Sequence, residues 1–179
     1  MTLILVTGAS GSGKSTLCDN LAKMYGAIII PQDSFYKVPY TNTPTTNVEG
    51  AEIIDWKGLC ETVVKMMSVI DIAIIVEGHV TFTCDILVDL ADLLVFVDPG
   101  KDIVKRRFMN RRADDYTLEQ LDKKEKYFEE YTWPSHERYV KNVVSNVINS
   151  DYDKLLKVGC STSRSTDEIL NFLYMLHST

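Results

Sequence analysis

The sequence predicts a doubly wound α/β fold with about five parallel strands. Short continuous apolar runs recur at 2–6, 27–30, 72–76 and 92–97, and helical patterns separate them. Runs of this kind fit a parallel sheet covered on both faces. The first run leads directly into a glycine-rich loop and then a helical pattern, the strand–loop–helix order of such folds.

Each element has its own signal. "TLILV" (2–6) reads as the first strand, followed by the glycine loop and a helix to about Tyr25. "AIII" (27–30) is the second strand and stops at Pro31. "IAIIV" (72–76) and "DLLVFV" (92–97) are the third and fourth. "KLLKV" (154–158) is the fifth, with "NVVSNVI" (142–148) competing for that place. The last helix is expected over 166–176, with Ser165 or Thr166 as N-cap and Asp167 and Glu168 in its first turn. Residues 36–51 hold two prolines among many Thr and Asn and read as a long functional loop. Residues 101–141 are rich in Arg, Lys, Glu and Tyr at helical spacing, as expected of a small helical lid after a strand. No internal repeat or boundary divides the chain, so residues 1–179 are expected to form one domain.

Bulk composition narrows the function classes. At 179 residues, 45% hydrophobic and 25% charged, the chain can bury one core. A net charge of −6 weighs against general nucleic-acid binding, which needs many Lys and Arg, but leaves room for a local basic pocket. Cys18, Cys60, Cys84 and Cys160 are scattered, as reduced, packed thiols would be. No apolar run approaches a membrane span, so a cytoplasmic protein with neither membrane nor nucleic-acid partner is expected.

The chemistry starts at "VTGASGSGKSTL" (6–17). Gly8, Gly13, Lys14 and Ser15 fit G-x-x-x-x-G-K-[ST]. Glycines let backbone N–H groups turn toward phosphate oxygens, Lys14 brings a charge to the β and γ phosphates, and the Ser15 hydroxyl suits Mg²⁺. Ser10, Gly11, Ser12 and Thr16 complete the cradle, and the helix beginning near Lys14 adds its positive end. A nucleoside triphosphate with Mg²⁺ follows. The motif alone does not choose among kinase, GTPase and ATPase, although no N-K-x-D guanine signature is present.

Further segments occur in a specific order: "PQDSFYK" (31–37), "IIDWKGL" (53–59), "VEGH" (76–79), "KRRFMNRR" (105–112) and "YTWPSHERY" (131–139). With them the chain resembles, over nearly its whole length, the P-loop small-molecule kinases of the uridine kinase and nicotinamide riboside kinase group. It is more similar to the latter, given the lone Asp55 before a helix and the Trp133–Pro134 pair, and it lacks the H-P-x-A-F-D signature of uridine kinases. The resemblance implies a P-loop kinase fold, ATP and Mg²⁺ as cofactors, and a nucleoside-like acceptor.

It also implies roles, each with a plainer alternative. Asp33 would be the catalytic base at the acceptor hydroxyl, or else a turn residue. Glu77 would join Ser15 at the metal and face the substrate, or be a structural carboxylate. Arg107 and Arg111, four apart on one helical face beside Arg106 and Arg112, would stabilise transferring charge, or be a solvated face. Asp55 would bind a ribose diol, or cap the helix at Trp56, or do both. His79 reads as a pocket wall. Ile54 stands where nicotinamide riboside kinases carry a stacking tyrosine, which leaves the acceptor open. Tyr116 is the candidate second aromatic from the lid, and Tyr36, Tyr40 and Trp56 are further aromatics. Two other functions compete: a switch or assembly ATPase without a small acceptor, and a kinase acting on nucleic-acid ends.

Overall fold

The computed structural model describes residues 1–37, 49–150, 153–159 and 163–176. Five strands form one all-parallel sheet: β1 (Leu3–Thr7), β2 (Ile28–Pro31), β3 (Ile74–Gly78), β4 (Leu93–Val97) and β5 (Leu155–Val158), in the order β2-β3-β1-β4-β5. Their side chains divide by alternation. Leu3, Leu5, Ile74, Val76, Leu94 and Phe96 enter one buried cluster. Ile4, Val6, Ile75, Leu93, Val95 and Val97 enter the other. Both faces are covered, which is why these strands read as unbroken apolar runs.

Helix α1 (Lys14–Tyr25) covers the second cluster through Leu17, Cys18 and Leu21. The C-terminal helix, Ser163–Leu176, lies beside it and adds Ile169, Leu170 and Leu173. Helices α2 (Trp56–Val69) and α3 (Asp85–Leu90) cover the opposite face. The lid begins with α4 (Lys101–Asn110) and continues through α5 (Leu118–Tyr127), α6 (Trp133–Tyr139) and α7 (Ser145–Asn149). Two π-helical turns, Phe128–Thr132 and Val140–Val144, join these last three into one long helical run. The first turn widens directly before Pro134, whose ring and missing N–H do not fit a regular α-helical turn. The C-terminal helix is therefore α8.

The structure settles the competition for the fifth strand and corrects the start of the last helix. Residues 142–148 are helical, not a strand. Val140, Val143, Val144 and Val147 recur at helical spacing and pack on the first cluster, so the fifth strand is the Leu155–Val158 segment. α8 begins at Ser163, ahead of the predicted caps. Ser165 and Thr166 sit buried inside its first turns, near α1, not at its N-cap. Most of the predicted loop, with Tyr40, lies outside the described residues, as does Cys160. Cys18, Cys60 and Cys84 are free thiols, as expected. Among the described residues no helix is long and apolar enough to cross a membrane.

The parallel register sets the site. Thr7 pairs with Gly78, and Pro31 with Glu77. The carboxyl ends of β1, β2 and β3 therefore stop on one line. Everything attached just beyond them faces the same crevice, where open α/β sheets bind ligands.

Candidate active site

The loop after β1 is held from both sides. Gly11 and Gly13 adopt φ of +92° and +96°, values L side chains rarely take. A Cβ on Gly8 would lie 2.6 Å from the Val97 carbonyl oxygen, and one on Gly11 2.8 Å from that of Val104. Glycine at these positions lets the loop sit against β4 and α4. The Ser12 amide closes the turn onto the Ala9 carbonyl at 3.0 Å. Gly13 stands at the N-cap of α1 without any side-chain cap, so the helix offers its first N–H groups to an anion. Among the described residues the buried Ser12 hydroxyl has no hydrogen-bond partner. These features fit a phosphate chain. Ser15 Oγ donates to Glu77 at 3.1 Å (Oε2) and 3.3 Å (Oε1), bringing oxygens from two chain segments together. That donor set suits Mg²⁺ shared with phosphate oxygens. Among the described residues no group of three or more His, Cys, Asp or Glu could hold a metal by itself.

Beyond β2 a short 3-10 turn, Gln32–Phe35, carries Asp33 on its exposed side and Gln32 on its buried side. Gln32 Oε1 accepts from the Val80 amide at 3.3 Å and fixes this turn to the segment after β3. A Cβ on Gly78 would overlap the Gln32 side chain, so glycine there permits the packing. Asp33 Oδ1 accepts from the Tyr36 hydroxyl at 3.2 Å. Tyr36 pairs antiparallel with Ile54, and the Asp55 amide donates to the Phe35 carbonyl at 2.7 Å. These bonds carry Asp55 to the same edge as Asp33. There Asp55 caps α2, with Oδ1 accepting from the Gly58 amide at 3.0 Å. Ile54 is fully buried in the core beside Phe35 and Tyr36. It does not stand in for a stacking tyrosine, because its side chain points into the core. A tyrosine there would overpack the core instead of reaching a ligand.

Sequence reasoning missed Glu49 and the residues that hold it. Its Oε1 accepts from Thr132 Oγ1 at 2.9 Å and from the Tyr127 hydroxyl at 3.4 Å, both on the lid helix. Burial pushes the Glu49 carboxyl above its ordinary range, and these two donors only partly oppose that. Among the described residues His79 Nε2 is buried without a hydrogen-bond partner. Burial lowers its pKa to about 4 despite the opposing Asp33 charge, so the imidazole is neutral at pH 7. The His79 and Tyr36 rings lie 6.5 Å apart. Glu49, His79, Thr132, His136 and Tyr139 line a cavity about one water molecule in size, against Ala9 and Ser10 of the glycine loop. Tyr139 was missed as well. Its hydroxyl meets Thr7 Oγ1 at 3.0 Å and accepts from the Phe82 amide at 3.0 Å, pinning the lid helix to the end of β1. The apolar spacing gave no warning of this, since a buried tyrosine reads like any core aromatic.

The two candidate arginines are placed differently. Arg107 Nη1 donates to the Ser12 carbonyl at 2.8 Å, so it lies on the glycine loop. Arg111 ends α4, exposed, and its carbonyl accepts from Lys124 Nζ at 2.5 Å. Arg106 and Arg112 are exposed, and Arg112 has a left-handed φ of 56°. Tyr116 is tied to the lid, with Lys124 Nζ 4.7 Å from its ring centre. It does not line the cavity beside Glu49. Trp56 packs on the core and donates Nε1 to the Ala51 carbonyl at 2.9 Å.

Residues 4–131 match the AAA domain family, and the chain belongs to it. The chain is 26% identical to a uridine kinase of Chlamydia pneumoniae, over 99% of this chain and 97% of that protein. It is likewise 26% identical to a uridine kinase of Latilactobacillus sakei subsp. sakei, over 79% of this chain and 84% of the other. Among solved structures it is similar in fold to a protein from Silicibacter sp. TM1040 assigned as a fructose transport system kinase. There the TM-score is 0.61 at 19% identity, covering 79% of this chain and 85% of that one.

Proposed function

We propose that this member of the AAA domain family, an ATP-dependent P-loop kinase, phosphorylates a hydroxyl of a nucleoside-like small molecule. Uridine, cytidine and nicotinamide riboside are the first acceptors to test. The observation that carries this reading is the shared edge of the sheet. There the glycine loop with its Ser15–Glu77 contact stands beside the exposed carboxylate of Asp33 and the cap carboxylate of Asp55. A switch ATPase needs the first of these but has no use for the second pair.

In this mechanism the loop amides, the first turn of α1 and Lys14 hold the triphosphate. Ser15 and Glu77 would hold Mg²⁺, which would supply neutralising charge for the phosphates. Asp33 accepts the proton of the acceptor hydroxyl as that oxygen attacks the γ-phosphorus, and Tyr36 keeps the carboxylate oriented through its 3.2 Å bond. Arg107, already on the loop through Ser12, stabilises negative charge on the transferring oxygens. Arg111 and Tyr116 contribute from the lid as it closes over the acceptor. Asp55 accepts from a ribose diol with the carboxylate edge that the Gly58 amide leaves available.

A screen of nucleosides, nicotinamide riboside and simple alcohols for acceptor-dependent ADP release tests the reading. A kinase consumes ATP slowly until its acceptor is added. Brisk hydrolysis that no acceptor changes would return the chain to the switch or assembly class.

A further inference from the structure

Two thiols meet where helix α2 packs beside the segment between β3 and α3. Cys60 lies early in α2, soon after the Asp55 cap. Cys84 follows the short 3-10 turn Thr81–Thr83 and directly precedes α3. Their Sγ atoms are 3.3 Å apart, although the residues are separated by 24 positions in sequence. Roughly one ångström of further approach would bring such a contact to disulfide distance. Cys84 is buried in the first core cluster, and Cys60 packs against that cluster while only half-buried. A small reagent can therefore reach the pair from the Cys60 side. Cys18, the other described thiol, is buried in the second cluster on the opposite face of the sheet. Among the described thiols, Cys60 and Cys84 alone are placed to react with each other.

We propose that Cys60 and Cys84 are a redox-modification site, forming a reversible disulfide that ties α2 to the turn after β3. The inference is independent of the kinase reading. Its oxidant is a small-molecule disulfide of the glutathione class. One protein thiolate attacks the S–S bond of the reagent, forms a mixed disulfide and releases the first reagent thiolate. The neighbouring protein thiolate then attacks the protein sulfur of that mixed disulfide, which closes the Cys60–Cys84 bond and releases the second reagent thiolate. The protein loses two electrons, the reagent gains them, and the two thiol protons end on the two released thiols. Contact between the sulfurs makes the second step intramolecular and so favours closure over a lasting adduct. The first step is slow at neutral pH. Burial, with the Cys84 sulfur alongside, pushes the Cys60 thiol up to about 12, so exchange quickens as pH rises. The bond joins the helix that Asp55 caps to the segment whose Phe82 amide the Tyr139 hydroxyl holds. Closing this loop restricts the unfolded chain, so the oxidised protein is the more stable form.

The test incubates the full chain with oxidised glutathione in mildly alkaline buffer. Remaining thiols are then blocked with iodoacetamide, and the protein is digested for mass spectrometry with and without dithiothreitol. Wild type should yield a Cys60–Cys84 cross-linked peptide, an intact mass lower by two hydrogens, and no lasting glutathione adduct at either residue. Cys84→Ser should instead accumulate the mixed disulfide at Cys60, and Cys60→Ser should give no cross-link. The oxidised wild type should melt roughly 5–10 °C above the reduced protein, a gain that dithiothreitol removes. A stable glutathione adduct at Cys60 of wild type without the cross-link overturns the proposal. So does a cross-link to Cys18 or Cys160, or one between two chains. Failure of both thiols to react in the folded protein, while the same reagent modifies them in urea, overturns it as well. An oxidised form that melts no higher than the reduced one overturns the tie between α2 and the turn. Peptide mapping of wild type needs no variant to fold.

Discussion

The two halves of the crevice are built in opposite ways. The nucleotide side centres on one continuous stretch, Gly8 to Thr16, whose shape follows from glycine conformations and a helix start. The proposed acceptor side is assembled from separate segments, Gln32–Tyr36, Asp55 and, behind them, Glu49 with the lid residues Tyr127 and Thr132. The contiguous loop draws on few distant residues, chiefly Glu77 at Ser15 and Arg107 at the Ser12 carbonyl. An assembled site depends on the strand ends, the Tyr36–Ile54 bridge and the Tyr139 anchor all holding together. Substitutions on the nucleotide side should therefore stop the reaction for every acceptor, while those on the acceptor side should sort acceptors from one another.

The largest effect is expected at Lys14. Lys14→Ala should reduce transfer by at least roughly 10³-fold for every acceptor, because the β/γ charge loses its fixed counter-charge. The fold should survive, as circular dichroism and a thermal melt would show. Full turnover by a folded variant would remove the nucleotide-side assignment.

Asp33→Asn keeps the shape but cannot take a proton. kcat should fall roughly 10²- to 10⁴-fold while ATP affinity by titration changes little. Loss of ATP affinity with kcat preserved would move Asp33 to the nucleotide side and blur the contrast between the halves.

The lid arginines sharpen the comparison. Arg107→Ala should lower kcat by roughly 10²-fold with little change in acceptor KM, and Arg107→Lys should rescue it only in part, since an ammonium lacks the planar fork. Arg111→Ala should be milder, given its exposed place at the end of α4. The reverse ranking in steady-state kinetics would show that the lid closes onto phosphate through its outer end.

Asp55 does two jobs that can be separated. Asp55→Ala should cost about 0.5–2 kcal/mol of stability as a lost cap, read by urea unfolding. It should also erase a preference for ribo over 2′-deoxy acceptors of roughly 5- to 150-fold in kcat/KM. A stability loss with the preference intact would leave only the cap.

The smallest effect concerns Glu49. Its folded pKa is raised by burial, so the stability it contributes is full below the unfolded carboxylate value and is lost as pH rises through the folded one. Glu49→Gln should flatten that decline, giving a higher urea midpoint relative to wild type above that window than below it. A parallel pair of curves would mean that Thr132 and Tyr127 fully compensate the buried charge.

By itself the sequence determined the sheet, because strands buried on both faces must be apolar throughout. It determined the glycine loop as well, because positive φ and close backbone approach demand glycine at fixed spacing. It also carried Asp33, Asp55 and Glu77, through motifs next to strand ends and a helix start. Only the tertiary structure decided that Ile54 turns into the core, that 142–148 is helix, and that Arg107 rather than Arg111 reaches the glycine loop. It alone brought Glu49 to Thr132, 83 residues away, and buried His79 Nε2 there without a partner among the described residues. The physical reason is sequence separation. Backbone conformation is set by neighbours within a few residues, whereas the partner of a buried polar atom is set by which strand ends and helices the fold brings alongside it.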